Sequence, residues 1–469
     1  MRAVVMALAA VMFAGSAAAG EDLALWQKRM PITFSGYNPP GGGALTNFPA
    51  LVILSNTTAG AGFSYSDFLS PPYGDLRFAA DDMQTQLDFE VESWDTGGLS
   101  HVWVKTPVLA GTNTRIWAFW GRSAVSPPAC TTNGAVWDAL YRAVWHLAQT
   151  TITDSTSNRC DGVSIGTTNA PGAIDGAQGF NGTSYITTPI NMVGYKVTTN
   201  FTILAWFAIG ASDAMLAEDG TSYSSDSFYL GCAPSRSQMF ASIRSSTGSQ
   251  VYNDNINVPA IGAAWHFVAY KYDGANVELL LDCASVWKKA AVGIINNGNA
   301  ALNLGRRPGT ASTLNGRMDE VRIANTALSS NYIWACWMNM ASNDAFNAYG
   351  KPASSGAPAV TNIGAVSEDD FMTLTGYLVS TGQDANVSAA VFWGTNDAGE
   401  NMSGWTYTNR FPGWSAIGPL STNVTPEKVG ELYYFRFCAS NSLGQTWAKP
   451  TFEFIWWADI RTGTVFSTW

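Results

Sequence analysis

The chain has 469 residues and a formal charge of −10, from 25 Lys plus Arg against 35 Asp plus Glu, a length that suits about three domains of ordinary size. Charged residues make up only 13%, about half the share usual in globular proteins, while aromatics also reach 13% and glycine numbers 45. With no basic cluster to neutralise phosphates, nucleic acid is excluded as a partner, and the balance points to an exported all-β protein.

The first twenty residues carry one basic residue, Arg2, then an apolar run from Val4 to Ala14 and the small residues Ala17, Ala18 and Ala19. That order predicts a secretory signal peptide over residues 1–19 and a secreted or cell-surface location. No later stretch reaches the ~18 apolar residues that a membrane-spanning helix needs. Six cysteines (Cys130, Cys160, Cys232, Cys283, Cys336 and Cys438) are widely scattered. Their pairing, among about fifteen complete arrangements, is left open, and none shows C-x-x-C spacing. His101, His146 and His266 sit in apolar runs and are expected to be core residues, so zinc is not expected and no histidine is assigned a catalytic role.

From Leu25 onward, short apolar alternations broken by Gly, Asn, Asp and Pro recur about every ten residues, the rhythm of β-sandwiches. Proline and small residues at 126–130 and 351–358 mark two joints. They predict three consecutive sandwich domains over 21–130, 131–350 and 355–469. The first holds the runs WQKRMPITFSGY, NFPALVIL, DLRF, LDFEVESWD, HVWVKTPVL and RIWAFWG. In order and wording these resemble the bacterial family called domain of unknown function 2341, a resemblance that implies little about function.

The middle segment opens with AVWHL and continues through GAQGFNGTSYITTP, FTILAWF, WHFVAYKYDGANVELLLD and LNGRMDEVRIANTALS. It resembles a concanavalin A-like, laminin-G-like jelly roll in its Phe180 to Tyr185 strand, its Trp265-His266 strand with an Asp273-Gly274 turn, and its closing Asp319 to Ile323 strand. Cys283 departs from the glycine usual in the family's next hairpin. The last segment, with MTLTGYLVS, AAVFWGTNDAG and ELYYFRFCASNSLGQTWA, resembles a fibronectin type III-like sandwich. In its final run Tyr433, Phe435 and Phe437 alternate with Tyr434, Arg436 and Cys438, as a half-buried strand requires.

Glycoside hydrolysis needs two carboxylates about 5 Å apart in its retaining form. Glu90-Val91-Glu92 alternates suitably, but it lies in the first unit and is expected to be a solvated strand face. Asp319 and Glu320 are adjacent, so a regular strand sends them to opposite faces. Gly162-Val163-Ser164-Ile165-Gly166 matches a nucleophile elbow in spelling only, since Pro171-Gly172 soon follows where a helix should begin. Trp405 and Trp414, in Gly- and Pro-rich stretches, are weighed as sugar platforms and expected to be packing residues. The resemblance to laminin-G-like jelly rolls implies one Ca²⁺ on the rim, with Asp319 as first ligand and Asp154 and Asn158 as partners; the alternative for these residues is turn capping.

The reading is a non-catalytic exported or cell-surface protein that binds carbohydrate, or mediates adhesion, through its lectin-like jelly roll. Its partner is a glycan or another surface or matrix component. A structural matrix component working by protein contacts is the alternative, and a glycoside hydrolase the third.

Overall fold

The computed structural model describes residues 21–456 apart from 58–61, 150, 189–198, 211–213, 221–226, 246–249, 296–300, 310–311, 355, 369, 383–385, 415–416 and 442–443. The expected signal peptide lies outside the described residues. Those described form an all-β protein of paired sheets with three short helices, as the composition led one to expect.

In the first unit, strands Lys28–Thr33, Arg115–Trp120, Arg77–Ala80 and Gln86–Leu87 make one sheet, and Leu45–Ser55, Leu99–Leu109 and Phe89–Ser93 the other. The first sheet is completed from far along the chain. Ala348–Tyr349 and Ala353–Ser354 both pair with Lys28–Thr33. Between them and the jelly roll, helix Ser330–Ala341 places Tyr332, Ile333, Cys336 and Met340 in the first unit's core. The expected boundary at 350 therefore cuts through shared packing.

The outer edge of strand Leu45–Ser55 shows how tightly this return is built. Leu51 is fully buried, so its N–H and C=O need partners. Asn339 accepts from the N–H at 2.6 Å and donates to the carbonyl at 3.1 Å, and Asn343 and Asn347 also donate to that carbonyl. Spaced four apart, these asparagines cover an edge that would otherwise invite another strand.

The jelly roll has two sheets. One runs Thr168–Pro171, Gly176–Asn181, Asn315–Ala324, Phe201–Ile209, His266–Tyr272, Asn276–Leu281, Ala284–Ala290, with the opening strand Tyr141–Trp145 also paired to Asn315–Ala324. The other runs Gln250–Asn257, Gln238–Arg244, Phe228–Cys232, Ala214–Asp219, Leu302–Leu304, Tyr185–Thr187, Val163–Ile165. The run at 201–209, apolar except for Thr202, is buried throughout because both of its faces are covered. Phe201, Ile203, Ala205 and Phe207 fill the jelly-roll core, while Leu204 and Trp206 pack with the first unit and its helix. The doubtful turn at Cys283 is resolved: Asp282 and Cys283 have φ of 46° and 65°, the positive pair that a two-residue type I′ hairpin demands.

The third unit pairs a sheet of Ala359–Ser367, Met372–Ser380 and Gly418–Val424 with one centred on Val387–Gly394 and Leu432–Asn441. Tyr433, Phe435 and Phe437 enter its core as the alternation requires, and Tyr434 and Cys438 join a smaller apolar cluster on the opposite side. Cys130, Cys283, Cys336 and Cys438 are free thiols.

The shared core yields a prediction. A fragment spanning 21–354 should unfold in one transition, whereas 131–350 alone would leave Tyr332, Ile333, Met340 and Phe346 without their cover and should aggregate or bind a hydrophobic dye. Calorimetry of the two fragments checks this; a sharp, dye-free transition for 131–350 would show that the helix does not depend on the first unit.

Candidate functional site

The closing strand Asn315–Ala324 is not regular. Leu204 stands opposite Arg322 and Trp206 opposite Asp319, so Glu320 and Val321 together face the single residue Ala205. This is a β-bulge, with Glu320 at φ 51°. The extra residue resets the alternation: Met318, Val321 and Ile323 point into the jelly-roll core, leaving Asp319, Glu320 and Arg322 on the side that meets the first unit. The expectation that Asp319 and Glu320 face apart is thus corrected; it assumed an unbroken pleat.

The second correction concerns Glu90 and Glu92. They do share a strand face, but that face is covered by the jelly roll rather than by water. Glu90 Oε1 accepts from Ser155 Oγ at 2.6 Å and Glu90 Oε2 from the Trp137 indole at 2.6 Å. Glu92 Oε2 accepts from the Trp103 indole at 2.7 Å, and its side chain is 2% exposed. His146, read as a packing residue, lies among these acids. Its Nδ1 is 2.6 Å from Glu320 Oε1 and 3.5 Å from Glu92 Oε2, and its Nε2 is 3.8 Å from Glu90 Oε2. The ring stacks on Trp103 with centroids 5.8 Å apart. Arg322 bonds Glu320 Oε2 and lies 4.3 Å from the Trp103 ring and 4.9 Å from that of Trp137. Tyr141 and Tyr332 close the cluster through a 2.9 Å contact between their hydroxyls.

Burial and mutual charge set the protonation of this seam. Burial pushes the Glu92 carboxyl up to about 8, with His146 opposing and Glu320 reinforcing. Burial alone would lower His146, but Glu320 and Glu92 outweigh it and hold the imidazole well above its ordinary value. Glu320 goes the other way: His146 and Arg322 overcome its burial and keep the carboxyl low. For Asp319, burial and then the charges of Glu320 and Glu92 raise the carboxyl well above its usual range, against two backbone N–H bonds. Glu92, His146 and Glu320 each offer a donor atom, all within 4.8 Å of one another.

The residues named from sequence as a calcium set occupy two separate hydrogen-bonded settings. Asp154 Oδ1 accepts from the Val144 and Thr156 N–H groups, and Oδ2 from Thr156 Oγ1 and the Cys160 N–H. The Asn158 amide donates to the Tyr141 and Arg142 carbonyls. Asp319 Oδ2 accepts from the N–H groups of Ala173 and Ile174 at 2.8 and 3.2 Å. No hydrogen bond joins Asp319 to the other two among the described residues. Ser164, at the nucleophile-elbow spelling, is on strand Val163–Ile165 with a strand following, not a helix. Trp405 is buried, its indole donating to the Gly399 carbonyl. Of Trp414 the side chain lies outside the described residues.

A second feature is open to solvent. A cleft of about 440 Å³ is lined by Ala173, Trp206, Trp265, His266, Asp282, Trp337 and Met340. His266, which opens strand His266–Tyr272, and Asp282, in the turn after the neighbouring strand Asn276–Leu281, are joined by a 2.8 Å bond from ring Nδ1 to Oδ2, while Asp282 Oδ1 accepts from the Phe267 N–H. Arg317 lies 4.8 Å from the Trp265 ring. The Trp206 indole N–H is buried without a partner among the described residues. Trp265-His266 was legible as a family strand; Trp337 was not, because it arrives from the helix beyond the closing strand.

A test of the seam follows from its electrostatics. Arg322→Met keeps the bulk but leaves Glu320 without its guanidinium, and should cost about 3–5 kcal/mol. Urea denaturation of the full chain measures it, and an unchanged midpoint would mean that the seam does not rely on this pair.

The sequence profile of the Concanavalin A-like lectin/glucanases superfamily matches residues 180–333. No curated protein matches the chain. Among solved structures, the chain is similar to domain 4 of AbnA, a GH43 extracellular arabinanase from Geobacillus stearothermophilus, in complex with arabinotriose. That likeness has 18% identity, covers 41% of this chain and 96% of that one, and has a TM-score of 0.35. It is also similar to the binding domain of Paraclostridial Mosquitocidal Protein 1, at 9% identity, 66% and 88% coverage and a TM-score of 0.37. The binding domain of Botulinum neurotoxin DC, in complex with rat synaptotagmin II, gives 10%, 65%, 72% and 0.36. Superpositions this loose add nothing to the assignment of the middle unit as concanavalin A-like, which rests on the matched residues and the order of strands.

Proposed function

We propose that the chain is an exported, non-catalytic carbohydrate-binding protein, and that the tryptophan cleft of its jelly roll is the sugar site. The observation that carries this reading is the composition of that cleft. A sugar ring offers an apolar face of C–H groups and an equator of hydroxyls. Trp265 and Trp337 supply flat apolar surface, and the His266–Asp282 pair supplies hydrogen-bonding groups beside it. Binding is favoured over hydrolysis by how Asp282 is used. Both its oxygens are bonded, to His266 and to the Phe267 backbone, and among the described residues it is the one carboxylate lining the cleft, where hydrolysis needs two. The apolar run after Arg2 supports export, and the concanavalin A-like fold of the middle unit supports recognition of a glycan.

A glycan array with the full chain should identify bound oligosaccharides. Trp265→Ala and Trp337→Ala should each weaken binding about tenfold, since aromatic contacts contribute roughly 0.5–1.5 kcal/mol beyond burial. Binding that survives both substitutions would move the site elsewhere, and release of reducing ends would replace the reading with a hydrolase.

A further inference from the structure

The seam between the first unit and the jelly roll holds an arrangement that its salt bridges alone do not explain. Glu92 Oε1 and His146 Nε2 are buried without a hydrogen-bond partner, although Glu92 is 2% and His146 10% exposed at the side chain. An unsatisfied polar atom in such a place costs roughly 1–3 kcal/mol. We propose that Glu92, His146 and Glu320 bind a divalent transition ion of the zinc class, which locks the first unit onto the jelly roll.

The geometry of the donors carries this. In Glu320 one oxygen is committed outward and the other faces His146, whereas in Glu92 the oxygen that takes an indole N–H also lies 3.5 Å from His146 Nδ1 and the second oxygen is buried without a partner. Glu92 Oε2 takes the Trp103 indole N–H, leaving Oε1. Glu320 Oε2 takes Arg322, leaving Oε1, which lies 2.6 Å from His146 Nδ1. With Nδ1 on the metal, the imidazole would present its Nε2–H toward Glu90 Oε2, now 3.8 Å away. An outer carboxylate on the second nitrogen, and outer donors on each ligating carboxylate, are what orient ligands in protein metal sites. Donors around zinc sit about 2.0–2.2 Å from it, so neighbouring donors lie about 3.4 Å apart in a tetrahedron. One donor atom from each of Glu92, His146 and Glu320 already lies within 4.8 Å of the other two. One imidazole nitrogen with two carboxylate oxygens selects a borderline ion; calcium would require six to eight oxygens.

Glu92 comes from one unit and His146 and Glu320 from the other, so the ion would be enclosed as the two come together. This predicts a trapped metal. Full-length protein expressed with zinc in the medium should carry one zinc per chain by elemental analysis. It should keep that zinc through dialysis against EDTA while folded, and release it to a colorimetric chelator only on unfolding in guanidinium. Glu92→Gln and His146→Gln should each lose the metal. Should either fail to fold, Trp103→Phe spares all three ligands and should hold zinc 10- to 100-fold more weakly, and the cobalt-loaded wild type should show the visible bands of a mixed nitrogen and oxygen site. Full-length protein that folds without zinc, that carries calcium alone, or that keeps its zinc in a folded Glu92→Gln variant would overturn the proposal.

Discussion

Arg322 lies against the Trp103 and Trp137 rings with its guanidinium on Glu320, and much of the seam follows from the cost of keeping a full charge out of water. A buried ion must be paired and bonded or the fold loses several kcal/mol. Glu320 supplies the pair, but only because the strand bulges there and holds a non-glycine residue at positive φ, a conformation costing about 1–3 kcal/mol. Glu320 then brings His146, and His146 brings Glu90 and Glu92 of the neighbouring unit. Each acid in turn occupies an indole N–H that would otherwise be stranded in the dry interface.

Helix Ser330–Ala341 ties this seam to the open cleft. Its Tyr332 meets Tyr141 beside the charges, its Met340 touches Arg322 through sulfur at 3.6 Å, and its Trp337 reaches the cleft wall. Asn339 on the same helix satisfies Leu51 of the first unit. One short element thus serves the seam, the sheet edge and the proposed sugar site, and its sequence YIWACWMNMA must satisfy all three at once. That explains an apolar pattern too broad for a surface helix of simple one-sided amphipathicity.

What could be read from sequence divides along physical lines. Strand alternation is a local property, so the all-β class and the core face of Tyr433, Phe435 and Phe437 were legible. Burial of Glu90 and Glu92 was not, because alternation says which residues share a face and nothing about what another unit lays upon it. The Asp319-Glu320 pair failed for a different reason. A bulge changes the parity of a strand without any glycine or proline to announce it, and here the positive-φ position is a glutamate. His146 is buried as expected, but its acidic company was not legible, because its neighbours in sequence are apolar while its neighbours in space come from residues 90, 92 and 320. The asparagines at 339, 343 and 347 did carry a signal, a four-residue spacing of one polar type running from one helix through the next short helix to its C-terminal cap, that becomes meaningful only once an unpaired strand edge is seen beside them.

The closure of the first sheet by Ala348–Tyr349 and Ala353–Ser354 bears on how this chain is made. Domains commonly fold one after another as they leave the ribosome or the export channel. Here the N-terminal sheet waits for strands more than three hundred residues downstream, and its Leu51 waits for asparagines nearly as far away. The jelly roll lies wholly within that interval. The order of assembly should therefore run inside out, with the central unit settled first and the earliest-synthesised segment finished last. Until then the emerging N-terminal strands keep an uncovered edge and belong to the part of the chain most in need of a holding chaperone.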